Sequence, residues 1–119
     1  MLSFANRFHG HGSLRFVYAK GQVVRSKYFV LKYSSNPRRE SPRVAVVVSK
    51  KVMKPAVGRN RIRRRLYEAV RLELSELDVR SDIVLIVVSP DVMMAPSSEI
   101  RESVQSVLKQ ADLYKSAKK

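Results

Sequence analysis

"RVAVVVSKKVMKPAVGRNRIRRRLYEAVR", residues 43–71, and a few residues later "DIVLIVVSP", residues 82–90, decide the fold. Each of the two apolar stretches, "RVAVVVS" and "DIVLIVVSP", is a short continuous β-branched run of the kind buried on both faces of a sheet. The first is therefore expected to be a central strand. Between them Pro55 and Gly58 set a boundary, and a helix is expected from about Arg59 to Leu77. At roughly 100° per residue, Ile62, Leu66, Ala69, Val70, Glu73, Leu74 and Leu77 gather on one side, which must face the sheet. Strand, basic loop, helix and strand make a βαβ unit with its two strands parallel.

Working outward, Ser13 is placed to cap a short helix over 14–20 that stops at Gly21, with Leu14, Val17 and Tyr18 on one side. The aromatic and β-branched run "VVRSKYFVLKYS" reads as one strand ending at a Ser/Asn/Pro turn. In it Tyr28, Val30 and Lys32 share one face and Phe29, Leu31 and Tyr33 the other. A last helix starts near Ser97 or Ser98, either of which suits the cap, with Glu99 and Glu102 in its first turn and a stripe of Ile100, Val104, Val107, Leu108 and Ala111. The order is α-β-β-α-β-α around a small sheet, with room for an extra short strand. Residues 1–119 form a single domain with flexible ends at about 1–6 and 114–119, and the segment "SSNPRRESP" is expected to be mobile as well.

The charge is lopsided. Residues 1–71 carry 18 Lys and Arg against 2 acids, net +16, and residues 72–119 carry 6 against 8, net −2. An anionic partner must therefore meet the first three-fifths of the chain. With 45% apolar residues the chain has material for a core. No apolar run approaches the roughly 20 residues of a membrane span, and no signal peptide core is present, so a soluble cytoplasmic protein without membrane contact is expected. Cysteine is absent, which removes disulfides and thiolate chemistry and fits a reducing compartment.

Five arginines fall within residues 59–65, and Glu68 alone cannot neutralise them. Arg61, Arg64 and Arg71 project to solvent opposite the apolar stripe, while Asn60, Arg63 and Tyr67 line a flank. Arginine's planar fork suits bidentate phosphate contact, and charges of a single sign are not what a merely solvated helix face carries. Lys50 and Lys51 stand just past the end of a strand, where open sheets commonly bind ligands. Aromatics interleaved with Lys and Arg over residues 15–33 could stack bases while the cations track a backbone. No pair of acids is placed for general acid and base work, and "HGH" at residues 9–11 lacks further ligands with metal-site spacing. The residues describe a nucleic-acid binder.

"VVVSKK" at 46–51 followed by "GRNRIRRRLYEAVR" at 58–71 resembles the bacterial ribonuclease P protein component, whose hallmark is an RNR signature opening a helix after an SKK strand end. The likeness extends over nearly the whole chain through the first helix ending in Gly, "FVLKY", "DIVLIVVSP" and the final amphipathic helix. It implies a two-layer α/β sandwich with a central mixed sheet and a left-handed βαβ crossover, where the residues alone point to the right-handed form that is the general rule. It further implies that a catalytic RNA, using Mg²⁺, removes the 5′ leader of precursor tRNA, and that the protein contributes no catalytic residue and holds no metal of its own. Arg59, Asn60 and Arg61, continued by Arg63 and Arg64, are then the contacts to that RNA, and Lys50 and Lys51 the SKK lysines. Tyr18, Phe29, Lys32 and Tyr33 are candidates for a leader cleft between the first helix and the sheet. Two positions depart from the family pattern: Leu14 stands where Phe is frequent and Lys32 where Tyr is frequent. The expected partners are ribonuclease P RNA and precursor tRNA, with no oligomer of the protein alone. The alternative from charge and fold is a structural or ribosome-associated RNA-binding protein. A helix-turn-helix DNA binder is disfavoured because the basic helix lies between strands.

Overall fold

The computed structural model describes residues 6–8 and 12–115. Helix α1 (Gly12–Lys20) leads into strands β1 (Gln22–Arg25), β2 (Phe29–Ser35) and β3 (Arg43–Val47). The basic helix α2 (Ala56–Arg71), strand β4 (Ser81–Val87) and helix α3 (Ser97–Gln110) follow, with 3₁₀ turns at Leu74–Glu76 and Pro90–Met93. The strands form one mixed sheet in the order β1-β2-β4-β3. β3 and β4 are parallel, as the βαβ pattern requires, and β4 pairs antiparallel with β2 from Phe29↔Val87 to Ser35↔Ser81.

The run "VVRSKYFVLKYS", expected to be one strand, is a hairpin of two, β1 and β2. Its sequence lacks the Gly, Asn or Pro of an ordinary turn, but Ser26 supplies the break. The Ser26 hydroxyl accepts from the amides of Tyr28 and Phe29, both at 3.3 Å, and donates to the Phe29 carbonyl at 3.1 Å. A serine side chain thus stands in for backbone partners and reverses the chain.

The first β-branched run, expected to be central, is an edge strand. Its burial alternates along Arg43–Val47, whereas β4 is buried at six of its seven positions. The difference lies in what covers the sheet. Leu31, Val44, Val46, Ile83, Leu85 and Val87 point to one face and join Ile62, Leu66 and Val70 of α2 and Ile100, Val104, Val107 and Leu108 of α3 in a single core. On the other face α1 packs chiefly over β2 and β4, and Val17 and Val84 are completely buried. Helices therefore lie on both faces, and β3 is left half-covered on the α1 side. Its outer edge is partly closed: Arg7 forms a parallel bridge with Val44, and the Val46 amide donates to the Tyr67 hydroxyl at 3.1 Å, which together blunt the strand edge.

α2 is displaced relative to the expectation of residues 59–77. It starts at Ala56 after an extended Pro55 (φ −68°, ψ 135°), so Gly58 lies inside the first turn, where a β-carbon would come within 2.6 Å of the Met53 side chain. It ends at Arg71, and the turn that follows directs the buried Glu73 carboxylate to the Tyr114 hydroxyl at 2.8 Å and the Gln105 amide at 3.0 Å. Burial and the Glu73 contact both raise the Tyr114 pKa. Tyr114, at the head of the tail expected to be loose, is further tied by a bridge to Leu77. α3 has Pro96 at its N-cap and no side-chain cap, so neither Ser97 nor Ser98 takes the role expected of it. At its other end Asp112 adopts φ 59° while the Leu113 amide donates to the Leu108 carbonyl at 3.1 Å, the Schellman closure.

Two contacts fix the peripheral segments. The loop after β2, expected to be mobile, is pinned by Arg39, whose Nε and Nη2 donate to the buried Asp82 at 2.7 and 3.1 Å, with the Asn36 amide 3.4 Å from the same carboxylate. Gly21 is needed for close approach, not for a left-handed turn: a β-carbon there would lie 2.5 Å from the Val17 carbonyl oxygen and 2.9 Å from that of Tyr33. Both obstacles are backbone. Gly21→Ala should therefore lift α1 from the sheet and cost roughly 1–3 kcal/mol, the usual range for overpacking, in urea unfolding. Arg39→Ala leaves a buried carboxylate without its cation and should cost about 3 kcal/mol; Arg39→Ala with Asp82→Ala should cost less than Arg39→Ala alone, and an equal or greater loss would contradict the pairing.

Candidate nucleic-acid interface

The apolar stripe of α2 lies on the core, so its arginines must divide the remaining surface. They divide by function. Arg65 Nη1 donates to the Val92 and Met93 carbonyls at 2.6 and 2.9 Å, and its Nη2 meets the Ala95 carbonyl, so this guanidinium fastens the 3₁₀ turn before α3 to the helix. Arg59 Nη1 donates to the carbonyls of Met53 and Lys54 at 3.1 and 2.6 Å, closing the loop that precedes the helix. Arg63 Nη2 meets the Asn60 side-chain oxygen, which leaves the Asn60 amide donors uncommitted. Arg71 is held by Glu68, and the hydrogen bond between them lowers the pKa of the Glu68 carboxyl and, with the Glu68 charge, raises that of Arg71.

Arg61 and Arg64 remain. Both are exposed, and among the described residues neither has a hydrogen-bond or ionic partner. Lys50 and Lys51 are exposed in the turn after β3, which the Ser49 carbonyl closes by accepting from the Val52 and Met53 amides at 3.2 and 3.1 Å. α2 has no acidic residue in its first turn and no side-chain cap, so its free amides and the positive end of its dipole add to the field of these cations. The arrangement offers fixed, uncompensated positive charge on a rigid helix, which is what a phosphate backbone attracts.

The expected cleft residues separate. Tyr18 is 42% exposed on α1, and Lys32 projects from the α1 face of β2. The Lys32 ammonium donates to the Tyr18 carbonyl at 2.7 Å and lies 4.8 Å from the centre of the Tyr18 ring. Phe29 is fully buried in the core and cannot serve as a cleft contact. Tyr33 shares the core face with Leu31, and its hydroxyl donates to Gln22 at 2.9 Å, so it too is turned away from Tyr18. The face shared with Lys32 continues through Ile86, Ala45 and Val47, all half-buried, by the pairings Val30↔Ile86 and Val47↔Ile86. Those three were missed because alternation does not say which face a helix covers. Phe16, 56% exposed on α1, was legible as an aromatic among cations but not as an exposed one. His9 and His11 lie outside the described residues.

Known proteins match this arrangement over most of its length. The family model for ribonuclease P matches residues 2–112. The ribonuclease P protein component of Chloroflexus aurantiacus is 36% identical over 109 residues, covering 92% of this chain and 79% of that protein. That of a Pseudanabaena species is 34% identical over 112 residues, covering 93% and 95%. Among solved structures, the RNase P protein of Staphylococcus aureus superposes with a TM-score of 0.79 at 28% identity, covering 92% of this chain and 97% of that one. The RNase P protein of Thermotoga maritima, at 23% identity and a TM-score of 0.75 over 87% of this chain and 96% of that one, shares the fold. A sheet of this order, a basic helix between its parallel strands, and homology over nine-tenths of the sequence lead to one conclusion: the chain belongs to the ribonuclease P protein family, as a protein component of the tRNA 5′-processing enzyme.

Proposed function

We propose that α2, with Lys50 and Lys51, is the surface that binds the catalytic RNA, and that the space between α1 and the sheet holds the single-stranded 5′ leader of precursor tRNA. The observation that carries the first part is the division of the arginines. Arg59 and Arg65 are spent on the protein's own carbonyls, while Arg61 and Arg64 are held on the same helix with no partner among the described residues. Desolvating such a pair is favourable only against an anion. Asn60 adds neutral donors beside them, and Arg63 orients it.

For the leader, Tyr18 and Lys32 are the supporting pair. An exposed ring with a cation above it can stack a base on its free side while the ammonium faces the adjoining phosphate. Lys32 in place of an aromatic exchanges stacking area for charge, so leader affinity in this chain should depend on salt more than on base identity.

Magnesium belongs to the RNA in this reading. Among the described residues no three His, Asp or Glu side chains come together. The chain's contribution is to bind, to orient and to neutralise phosphates, so that the RNA folds and gathers its own ions at lower Mg²⁺.

The experiment is cleavage of precursor tRNA at low Mg²⁺ by a bacterial ribonuclease P RNA with and without the protein. Activity should appear only with both present. Cleavage by the protein alone would overturn the absence of catalytic residues, and no stimulation with RNAs of either architectural type would favour a structural RNA-binding role. Arg61→Ala and Arg64→Ala should each lower RNA affinity and reduce the salt slope by about one, the value of a lost phosphate contact, with the melting temperature unchanged. Filter binding over a salt series reads both quantities.

A further inference from the structure

A second surface on α2 is shaped for a base and not only for phosphates. Between α2 and α3 runs an open groove of about 540 Å³ whose lining includes Arg64, Ala69, Leu72, Ser98, Ile100 and Arg101. Ala69 and Ile100 are buried floor residues, while Leu72, the residue that closes α2, remains 45% exposed above them. The rim is cationic. Arg64 has no partner among the described residues, and Arg101 is half-exposed with only a 3.7 Å approach to Glu73. Glu68, the carboxylate on the same rim, is already held by Arg71. An apolar floor between two guanidinium groups is costly to leave in water and has no covering segment among the described residues.

We propose that this groove receives one unpaired nucleotide of the RNA bound by α2, its base lying on Ala69, Leu72 and Ile100 and its flanking phosphates meeting Arg64 and Arg101. The proposal rests on the reading of α2 as the RNA-binding helix and extends it from backbone contact to recognition of a base. Three observations select this occupant. The charge on both walls matches a phosphodiester and not a lipid tail or a basic peptide. The volume lies in the range of roughly 300–1,000 Å³ of sites that enclose one small ligand. Arg64 belongs both to the outward arginine row and to the groove, so RNA running along that row reaches the groove without crossing neutral surface. A paired base cannot enter, because its faces are covered by stacking and only splayed bases of loops, bulges and ends present a free one.

Because the chain has no cysteine, Leu72→Cys places a single thiol at the groove for an aryl-azide photocrosslinker. With bacterial ribonuclease P RNA, irradiation should give one dominant adduct at an unpaired nucleotide. Leu72→Asn, which removes apolar surface without changing charge, should raise the Kd for that RNA by about 5- to 10-fold, a loss of roughly 1.0–1.4 kcal/mol at 1.4 kcal/mol per tenfold, and leave the salt slope and melting temperature unchanged. Unchanged affinity in Leu72→Asn while Arg61→Ala still weakens binding would overturn the groove and leave α2 as the RNA helix. Adducts scattered along duplex RNA, or a chain-to-chain adduct, would overturn it equally. Failure of the native chain to bind the RNA would remove the reading of α2 and the groove with it.

Discussion

Burial of β4 on both faces is the constraint on which the rest of the molecule depends. A strand hidden at nearly every position must have neighbours on both edges and cover above and below. β2 and β3 supply the edges, α2 and α3 one cover, and α1 the other. Even its polar end obeys the constraint: Asp82 is buried and therefore requires Arg39, which in turn fastens the loop between β2 and β3. From that single strand follow the parallel placement of β3, the position of α2 at the sheet's parallel edge, and the direction in which the arginines point.

A chain of formal charge +14 must manage its own repulsion. It does so by giving part of its arginine a structural task. Arg39, Arg59 and Arg65 meet a carboxylate or backbone carbonyls and hold loops in place, and Arg71 is neutralised within its own helix. What is left, at Arg61, Arg64, Lys50 and Lys51, is charge without an internal partner on parts of the fold that cannot relax away. Rigid scaffolding by some arginines is what makes the others available. The same economy explains why a residue count of the basic helix overstates its binding surface.

The two faces of the sheet carry different chemistry. The core face is sealed by α2 and α3, and on that side the arginine cluster of α2 faces outward with Arg101 of α3 beside it. The α1 face is only partly covered, so half-buried Ala45, Val47 and Ile86 sit beside the Lys32 and Tyr18 pair. Lys32 ties α1 to the sheet through a carbonyl and a ring at once, which places a charge beside the exposed Tyr18 ring. Rigidity there comes from that contact and from Gly21, whose missing side chain allows the helix end to meet the backbone of Tyr33.

By itself the sequence determined the elements and the partner's charge. The 3.6-residue stripes of α2 and α3, the two β-branched runs and the one-signed arginine cluster are local patterns, and the helix stripes are buried as expected except at Leu74, whereas Ala45, Val47 and Ile86 of the β-branched runs are half-buried and Val88 is exposed. Element order and the parallel pairing followed, and the SKK and RNR stretches pointed to the family. Tertiary structure decided what periodicity leaves degenerate. Which face of β2 is core was open until α1 and α3 were placed, and it removed Phe29 and Tyr33 from the cleft. β3 became an edge because β4 lies between it and β2, a matter of pairing that no run of valines encodes. The split between structural and free arginines was likewise hidden, because Arg59 and Arg65 find their carbonyls only once the loops from 53 to 54 and from 92 to 95 have folded against the helix. Contacts between residues distant in the chain are set by packing, and packing is read from the fold.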